Sequence, residues 1–307
     1  MRSDRVRRWS LRAFVALLAG FTGTTLMAAP AAATWSVVAV DPETGEVGAA
    51  IASCISAEVL GDPAAPLIPV VVVPGAGVGV SQGQLDVEAP GLIAELVGNG
   101  VDADEVVAAL IDPERDPLLA LRQHGVVVLQ NGAGDGGAQA GAHTGDDNGE
   151  IAAQRLGATV SVQGNLLASE AVIDDTFDAF EAADGAGDPL AAALVEALSA
   201  GAAAGGDRRC DGQTALFAQV AVAGPDDDPT RPGVLLTVLV TEGDGRNPVN
   251  ELSLAWSQGR RGLIDLTTEP TGSRGLFRVA VFFVAMMLVA VAAFAFARGI
   301  GSISARR

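Results

Sequence analysis

The stretch TWSVVAVDPETGEVGAAIAS, residues 34–53, decides how this chain is read. Trp35 to Val40 is a strand-like run. Asp41-Pro42-Glu43-Thr44-Gly45-Glu46 places Pro early and Gly late, as a turn requires. Val47 to Ser53 returns as a second strand, and its small residues Gly48, Ala49, Ala50 and Ala52 suit a face packed closely against another layer. The stretch therefore predicts a hairpin with Thr34 at one strand end.

What precedes Thr34 gives that position its meaning. Arg2, Arg5, Arg7, Arg8 and Arg12 lead into the apolar run Ala13 to Ala19, and the segment closes on Ala28-Ala29-Pro30-Ala31-Ala32-Ala33. Ala31 and Ala33 make the A-x-A pattern that signal peptidase cuts after, so residues 1–33 are expected to be a signal peptide. Cutting there leaves Thr34 with a free α-amine. A threonine whose own amine can take its hydroxyl proton is a nucleophile. The plainer alternative is an exported chain that merely starts on a small polar residue.

The far end carries a stop-transfer pattern. Val279 to Ala297 is uncharged, VAVFFVAMMLVAVAAFAFA, and as a helix it would span roughly 28 Å, close to a bilayer core. Arg278 precedes it, and Arg298, Arg306 and Arg307 follow, which puts the C-terminus in the cytoplasm. The expected plan is a signal peptide at 1–33, a folded domain at 34–256, a polar stalk at 257–275, a transmembrane helix at 276–297 and a basic tail at 298–307. Removal of the tail as a sorting signal is the alternative. The expected location is the cell membrane, crossed once, with the domain outside.

Composition narrows the classes of function. Apolar residues make up 49% of the 307 and aromatics 4%, with no Tyr. That is enough for a sizeable core of small, β-branched and Leu side chains. Lysine is absent. Eight of the 19 Arg lie in the two ends, whereas all but one of the 37 acids lie between them. So acidic a domain repels nucleic acid and anionic headgroups. The two cysteines, Cys54 and Cys210, sit where the compartment permits a disulfide, and bridge or buried thiols are both open from spacing alone.

Periodicity predicts strands at 70–73, 77–80, 125–130, 159–163, 215–223 and 234–240. It predicts helices at 91–97, 102–110, 169–183 and 189–198. Asp102 with Glu105 three residues on forms a capping-box pattern. Residues 131–150 lack apolar periodicity and read as a long loop. Strands, two helices, strands, two helices, strands is an α+β order with helical layers covering sheet.

Six segments, TWSVVAVDPETGEVGAAIAS (34–53), RQHGVVVL (122–129), HTG (143–145), SVQGNLLAS (161–169), AAGGDRRCDGQTAL (203–216) and RNPVNEL (246–252), resemble the DUF1028 family, placed in the N-terminal-nucleophile (Ntn) hydrolase superfamily. The resemblance covers residues 34 to 252. It implies a four-layer αββα sandwich with Thr34 as nucleophile on a small amide or peptide. The pair Cys54 and Cys210 resembles a subset of the family with ASC and DRRC at these places, which implies a bridge. The second strand, GAAIAS, lacks the acid of proteasome-like members, and no Lys follows. A catalytically silent Ntn-like binding or assembly module is therefore the alternative function.

The chemistry needs a hydroxyl, a base and donors for an oxyanion. Thr34 supplies the first two. Asn165, on a Gly-bracketed turn, is the candidate oxyanion donor or amine orienter, and Ser53 a candidate partner of the amine. Asp207, Arg208 and Arg209 are candidates for binding substrate, an Arg through a carboxylate and Asp207 through the α-ammonium. His143 is a candidate substrate contact, whereas His124 reads as structural. Two distant histidines give no metal signature, and no phosphate loop or dinucleotide fingerprint appears, so no metal or cofactor is expected. The sequence leaves the oligomeric state open.

Overall fold

The computed structural model describes residues 34–130, 137–210 and 212–267. The expected signal peptide, transmembrane helix and basic tail lie outside the described residues. Among the described residues, no helix is long and apolar enough to cross a membrane.

The hairpin forms as its sequence dictates. Strands β1 (Thr34–Val40) and β2 (Val47–Ser53) pair antiparallel with Thr34 opposite Ser53. On its other side β1 pairs antiparallel with β8 (Val160–Asn165), where Thr34 stands opposite Asn165. β7 (Ala153–Leu156), β9 (Phe217–Ala223), β10 (Val234–Leu239) and β11 (Gly262–Asp265) complete a seven-stranded sheet in the order β11-β10-β9-β2-β1-β8-β7. A second sheet holds β3 (Val70–Val73), β4 (Gly77–Gly83), β5 (Arg122–Leu129) and β6 (Ala138–Thr144) in sequence order. The helices are α1 (Ala89–Gly98), α2 (Ala103–Leu110), α3 (Ala171–Ala186), α4 (Leu190–Ala203) and α5 (Pro248–Ser257).

Strand alternation sorts the side chains into three apolar layers. Trp35, Val37, Ala50 and Val162 leave one face of the large sheet and pack on Phe180, Leu194, Leu198 and Leu252 of α3, α4 and α5. Val38, Val40 and Ile51 leave the other face and meet Val72, Val78 and Val127 of the small sheet. Val71, Val126 and Val128 on the far face of the small sheet pack against Ile93, Val97, Val106 and Leu110 of α1 and α2. The stack is therefore helices, sheet, sheet, helices. The small residues of β2 serve the close approach expected of them. A Cβ on Gly48 would lie 2.6 Å from Val222 and 3.0 Å from Leu194 of α4.

Several local expectations are corrected. Residues 138–144, read as loop, form β6, whose Ala- and Gly-rich run gives no apolar alternation. β7 is a mostly half-buried strand the periodicity also missed. Residues 262–265, read as stalk, form β11, which pairs parallel with β10, so the sheet runs past residue 256. Helix α5 was not predicted, although Asn247 caps it by accepting the Val249 N–H at 2.9 Å and Pro248 opens it. Asp102 adopts an N-cap backbone conformation but makes no side-chain cap bond. Gln139 of β6 takes the Ala103 N–H instead, at 3.0 Å.

A candidate nucleophile site at the start of β1

Because β1 begins at Thr34, its two sheet neighbours present their last residues to it. The Thr34 N–H donates to Asn165 Oδ1 at 3.0 Å, and Thr34 Oγ1 donates to Ser53 Oγ at 3.2 Å. All three side chains are buried. The register places them on one rung across β2, β1 and β8, on the face toward the small sheet. Sequence reasoning named these three residues, and the structure brings them together. Asn165, expected on a turn, is instead the last residue of β8, with Leu166 turning the chain at φ 51.

The side-chain amide of Asn165 is only half used. Its Oδ1 is taken by Thr34, while its Nδ2 is buried and has no hydrogen-bond partner. An unmade buried donor costs about 1–3 kcal/mol. The left-handed Leu166 beside it costs about 1–2 kcal/mol more. The fold therefore holds an unfilled donor on the same amide that takes the Thr34 N–H.

Below the rung lies a buried polar floor that sequence reasoning missed. Ser36 Oγ donates to Gln82 Oε1 at 2.7 Å and accepts from Gln163 Nε2 at 2.7 Å. Gln82 Nε2 reaches Gln123 Oε1 at 2.8 Å and the Thr34 carbonyl at 3.4 Å. Gln123 Nε2 in turn donates to the Gly164 carbonyl at 2.9 Å. The available signal was polar residues at inward positions of β4, β5 and β8. The network ties the Thr34 end of β1 to both sheets.

The segment 206–210 closes the rim. Asp207 is buried, and its carboxylate accepts four donors: Cys54 N at 2.8 Å, Arg209 N at 2.9 Å, Arg209 Nε at 3.2 Å and Arg209 Nη2 at 2.9 Å. It is thus occupied by protein donors. Cys54 and Cys210 form a disulfide with Cα atoms 5.6 Å apart. On the β8 side, Leu167 bridges to Asp207, and Arg208 N donates to the Leu166 carbonyl at 3.3 Å. Thr214, another residue with positive φ (65°), accepts the Asp207 N–H at 2.9 Å. Asp207 so links the exits of β2 and β8, the two strands that flank Thr34.

His143 is placed elsewhere. It pairs with His124 across β5 and β6, and strand alternation turns both toward the helical layer of α1 and α2. Gln123 and Thr144, one residue away, face the Thr34 side. His143 Nε2 lies 3.2 Å from the Leu119 carbonyl, and its ring stacks 6.3 Å from that of His124. His124 is buried with both ring nitrogens unpartnered, and burial, then the nearby His143, pushes its pKa down to about 4.

Beyond the ends of β4 and β5, Arg122 holds Asp116 at 2.6 Å and the carbonyls of Gln84 and Leu85. Arg115 holds Asp86 at 2.9 Å. Burial alone would raise the Asp86 and Asp116 carboxyls, but hydrogen bonds from these two arginines outweigh it and hold both below the usual range. Among the described residues, no group of three or more His, Cys, Asp or Glu is placed to hold a metal. A cavity of about 500 Å³ lined by Gly75, Val97, Val101, Asp102, Leu129 and Gln130 lies at the opposite end of β4 from Gln82, away from Thr34.

No curated protein matches the chain. A crystal structure of a DUF1028 protein from Silicibacter pomeroyi superimposes with a TM-score of 0.56 at 24% identity, covering 74% of this chain and 89% of that one. That likeness speaks for the fold alone. The family model for DUF1028, a family of unknown function, matches residues 34–252, so its first matched residue is the Thr34 that opens β1. On that match, the chain belongs to the DUF1028 family.

Proposed function

We propose that this protein is an exported, membrane-tethered hydrolase of the N-terminal-nucleophile kind, with Thr34 attacking a small amide or peptide. The observation that carries the reading is the rung Ser53–Thr34–Asn165, with the Asn165 Nδ2 donor left unfilled. The helix–sheet–sheet–helix stack with Thr34 opening an inner strand supports it. Membrane tethering rests on the sequence of residues 1–33 and 276–297.

In this mechanism, removal of residues 1–33 turns the Thr34 nitrogen into an amine held by Asn165 Oδ1. The amine takes the Oγ1 proton as Oγ1 attacks the amide carbon. Asn165 Nδ2 donates to the oxygen that gains the negative charge. The α-ammonium then gives its proton to the leaving amine, and an ester on Thr34 remains. Water attacks that ester, losing a proton to the amine, and the acid departs as Oγ1 recovers a proton. Before attack Thr34 Oγ1 donates to Ser53 Oγ; once that proton turns to the amine, the Ser53 hydroxyl becomes the donor and Oγ1 the acceptor.

N-terminal sequencing of the mature protein is the first test, with Thr34 as the expected start. Any other start removes the nucleophile. Given that start, Thr34→Ser retains hydrolysis and Thr34→Ala abolishes it. A second reading, a silent binding or assembly module, is favoured by the second strand, GAAIAS, which carries no acid, and by the absence of Lys from the chain. A β-lactone that acylates Thr34 decides for the enzyme, and failure to acylate decides for the module.

A further inference from the structure

We infer that Arg208 anchors a carboxylate carried by the ligand of the Thr34 site, so that the substrate class is an amide bearing a free acid, such as an N-acyl amino acid. The inference rests on the reading of Thr34 and Asn165 as the reacting site. The unfilled valence at that site is a donor, Asn165 Nδ2, buried and aimed at no protein acceptor. Its ligand must bring an oxygen. Arg208 N bonds the Leu166 carbonyl at 3.3 Å, which places Arg208 beside the residue that follows Asn165.

Among Arg122, Arg208 and Arg209, it is Arg208 that has the exposed, replaceable partner. Arg209 is held on the buried Asp207 by two of its side-chain nitrogens, and Arg122 on the buried Asp116 and two carbonyls. Arg208 instead makes a single ion pair, Nη1 to Glu150 Oε2 at 3.2 Å, with side chains 41% and 86% exposed. Exposed pairs of one contact hold weakly. A ligand carboxylate offers the guanidinium a two-bond fork in place of that one contact. Glu150 then acts as a placeholder. The loop that carries it lies over the same residue, since a Cβ on Gly149 would run into the Leu166 side chain, and Leu167 N bonds the Ile151 carbonyl at 3.1 Å. The domain as a whole is strongly acidic and repels anions, so a carboxylate ligand requires a short-range partner of this kind.

The test measures dissociation constants of N-acetylalanine and of its uncharged carboxamide on the mature full-length protein, alongside Arg208→Gln and Glu150→Gln. The acid is expected to bind about tenfold tighter than the carboxamide, the scale of one added charge-assisted contact. Arg208→Gln should bring that ratio to about one, and Glu150→Gln should raise it. Equal binding of the two compounds, no binding of the acid, or an unchanged ratio in Arg208→Gln overturns the inference. β-Lactone labelling of Thr34, run in parallel, keeps the two readings apart. Labelling without acid preference overturns the Arg208 role alone. Acid preference without labelling leaves the role of Arg208 standing and removes the nucleophile.

Discussion

Asp207 Oδ2 accepts the Cys54 N–H at 2.8 Å, joining residues 153 apart in sequence. Cys54 follows Ser53, and Leu167, which bridges to Asp207, lies two residues after Asn165. One buried carboxylate therefore spans both flanks of Thr34.

Removing that carboxylate takes an acceptor from two backbone donors, Cys54 N and Arg209 N, and from two side-chain nitrogens of Arg209. Asp207→Ala is expected to lower unfolding free energy by about 3 kcal/mol, the lower part of the range for breaking a buried pair, because Arg209 is 29% exposed. Urea denaturation checks it, and a loss under about 0.5 kcal/mol would mean the clamp carries no weight.

The disulfide closes a chain loop with a separation of 156 residues. Constraint of the unfolded chain alone gives an upper figure of about 5 kcal/mol. The double variant Cys54→Ser, Cys210→Ser should lose about 2–5 kcal/mol relative to the oxidised protein. Mass spectrometry before and after reduction confirms which species is measured.

Acid should weaken the fold through His124. Its folded pKa lies near 4, below the ordinary 6.5, so the neutral form is the one the fold accommodates. The associated stability is fully present above pH 6.5 and is lost as pH falls toward 4, in total about 3 kcal/mol. Asp86 and Asp116, with carboxyls held low, lose their contribution only below 3.8. Glu46, whose carboxyl is pushed up mainly by burial, acts the opposite way near 4.5. The difference between wild type and His124→Phe isolates the histidine: it should change between pH 6.5 and 4. A constant difference across that window would contradict the assignment.

Gly125 faces the polar floor, where an added Cβ would run into the Gln163 amide and lie 2.9 Å from Ser161 Oγ. Gln163 cannot swing aside without losing Ser36 and Ser161. Gly125→Ala should therefore destabilise the protein by about 2 kcal/mol, in the range for overpacked interiors. A neutral result in thermal unfolding would show that the glutamine layer can rearrange.

The Thr34 rung was legible in the sequence because strand pairing converts position into contact. A hairpin from 34 to 53 puts Ser53 opposite Thr34 once its turn is recognised, and the QGN end of the later strand supplied Asn165. His143 failed for the same geometrical reason, since its place in a strand, hidden by the small residues of β6, turns it to the wrong face. Arg208 and Arg209 looked equivalent as a dipeptide, and only the fold gives one to Asp207 and the other to the rim. The glutamine floor was missed although Ser161, Gln163 and Asn165 alternate along β8, because a polar face at period 2 reads as solvent-facing and only the second sheet covers it.

The parallel pairing of β11 with β10 has a mechanical consequence. Leu236 to Leu239 stand beside Gly262 to Asp265, Leu266 N bonds the Leu239 carbonyl at 2.9 Å, and Arg246 holds the Leu266 carbonyl at 3.0 Å. A pull on the chain beyond this point, directed along the strand, loads these bonds together in shear rather than unzipping them one by one. β10, β9 and β2 then stand between the loaded edge and β1, about 19 Å of sheet at ordinary strand spacing. Such a load would be borne at the sheet's outer edge, four strand spacings from the Thr34 rung.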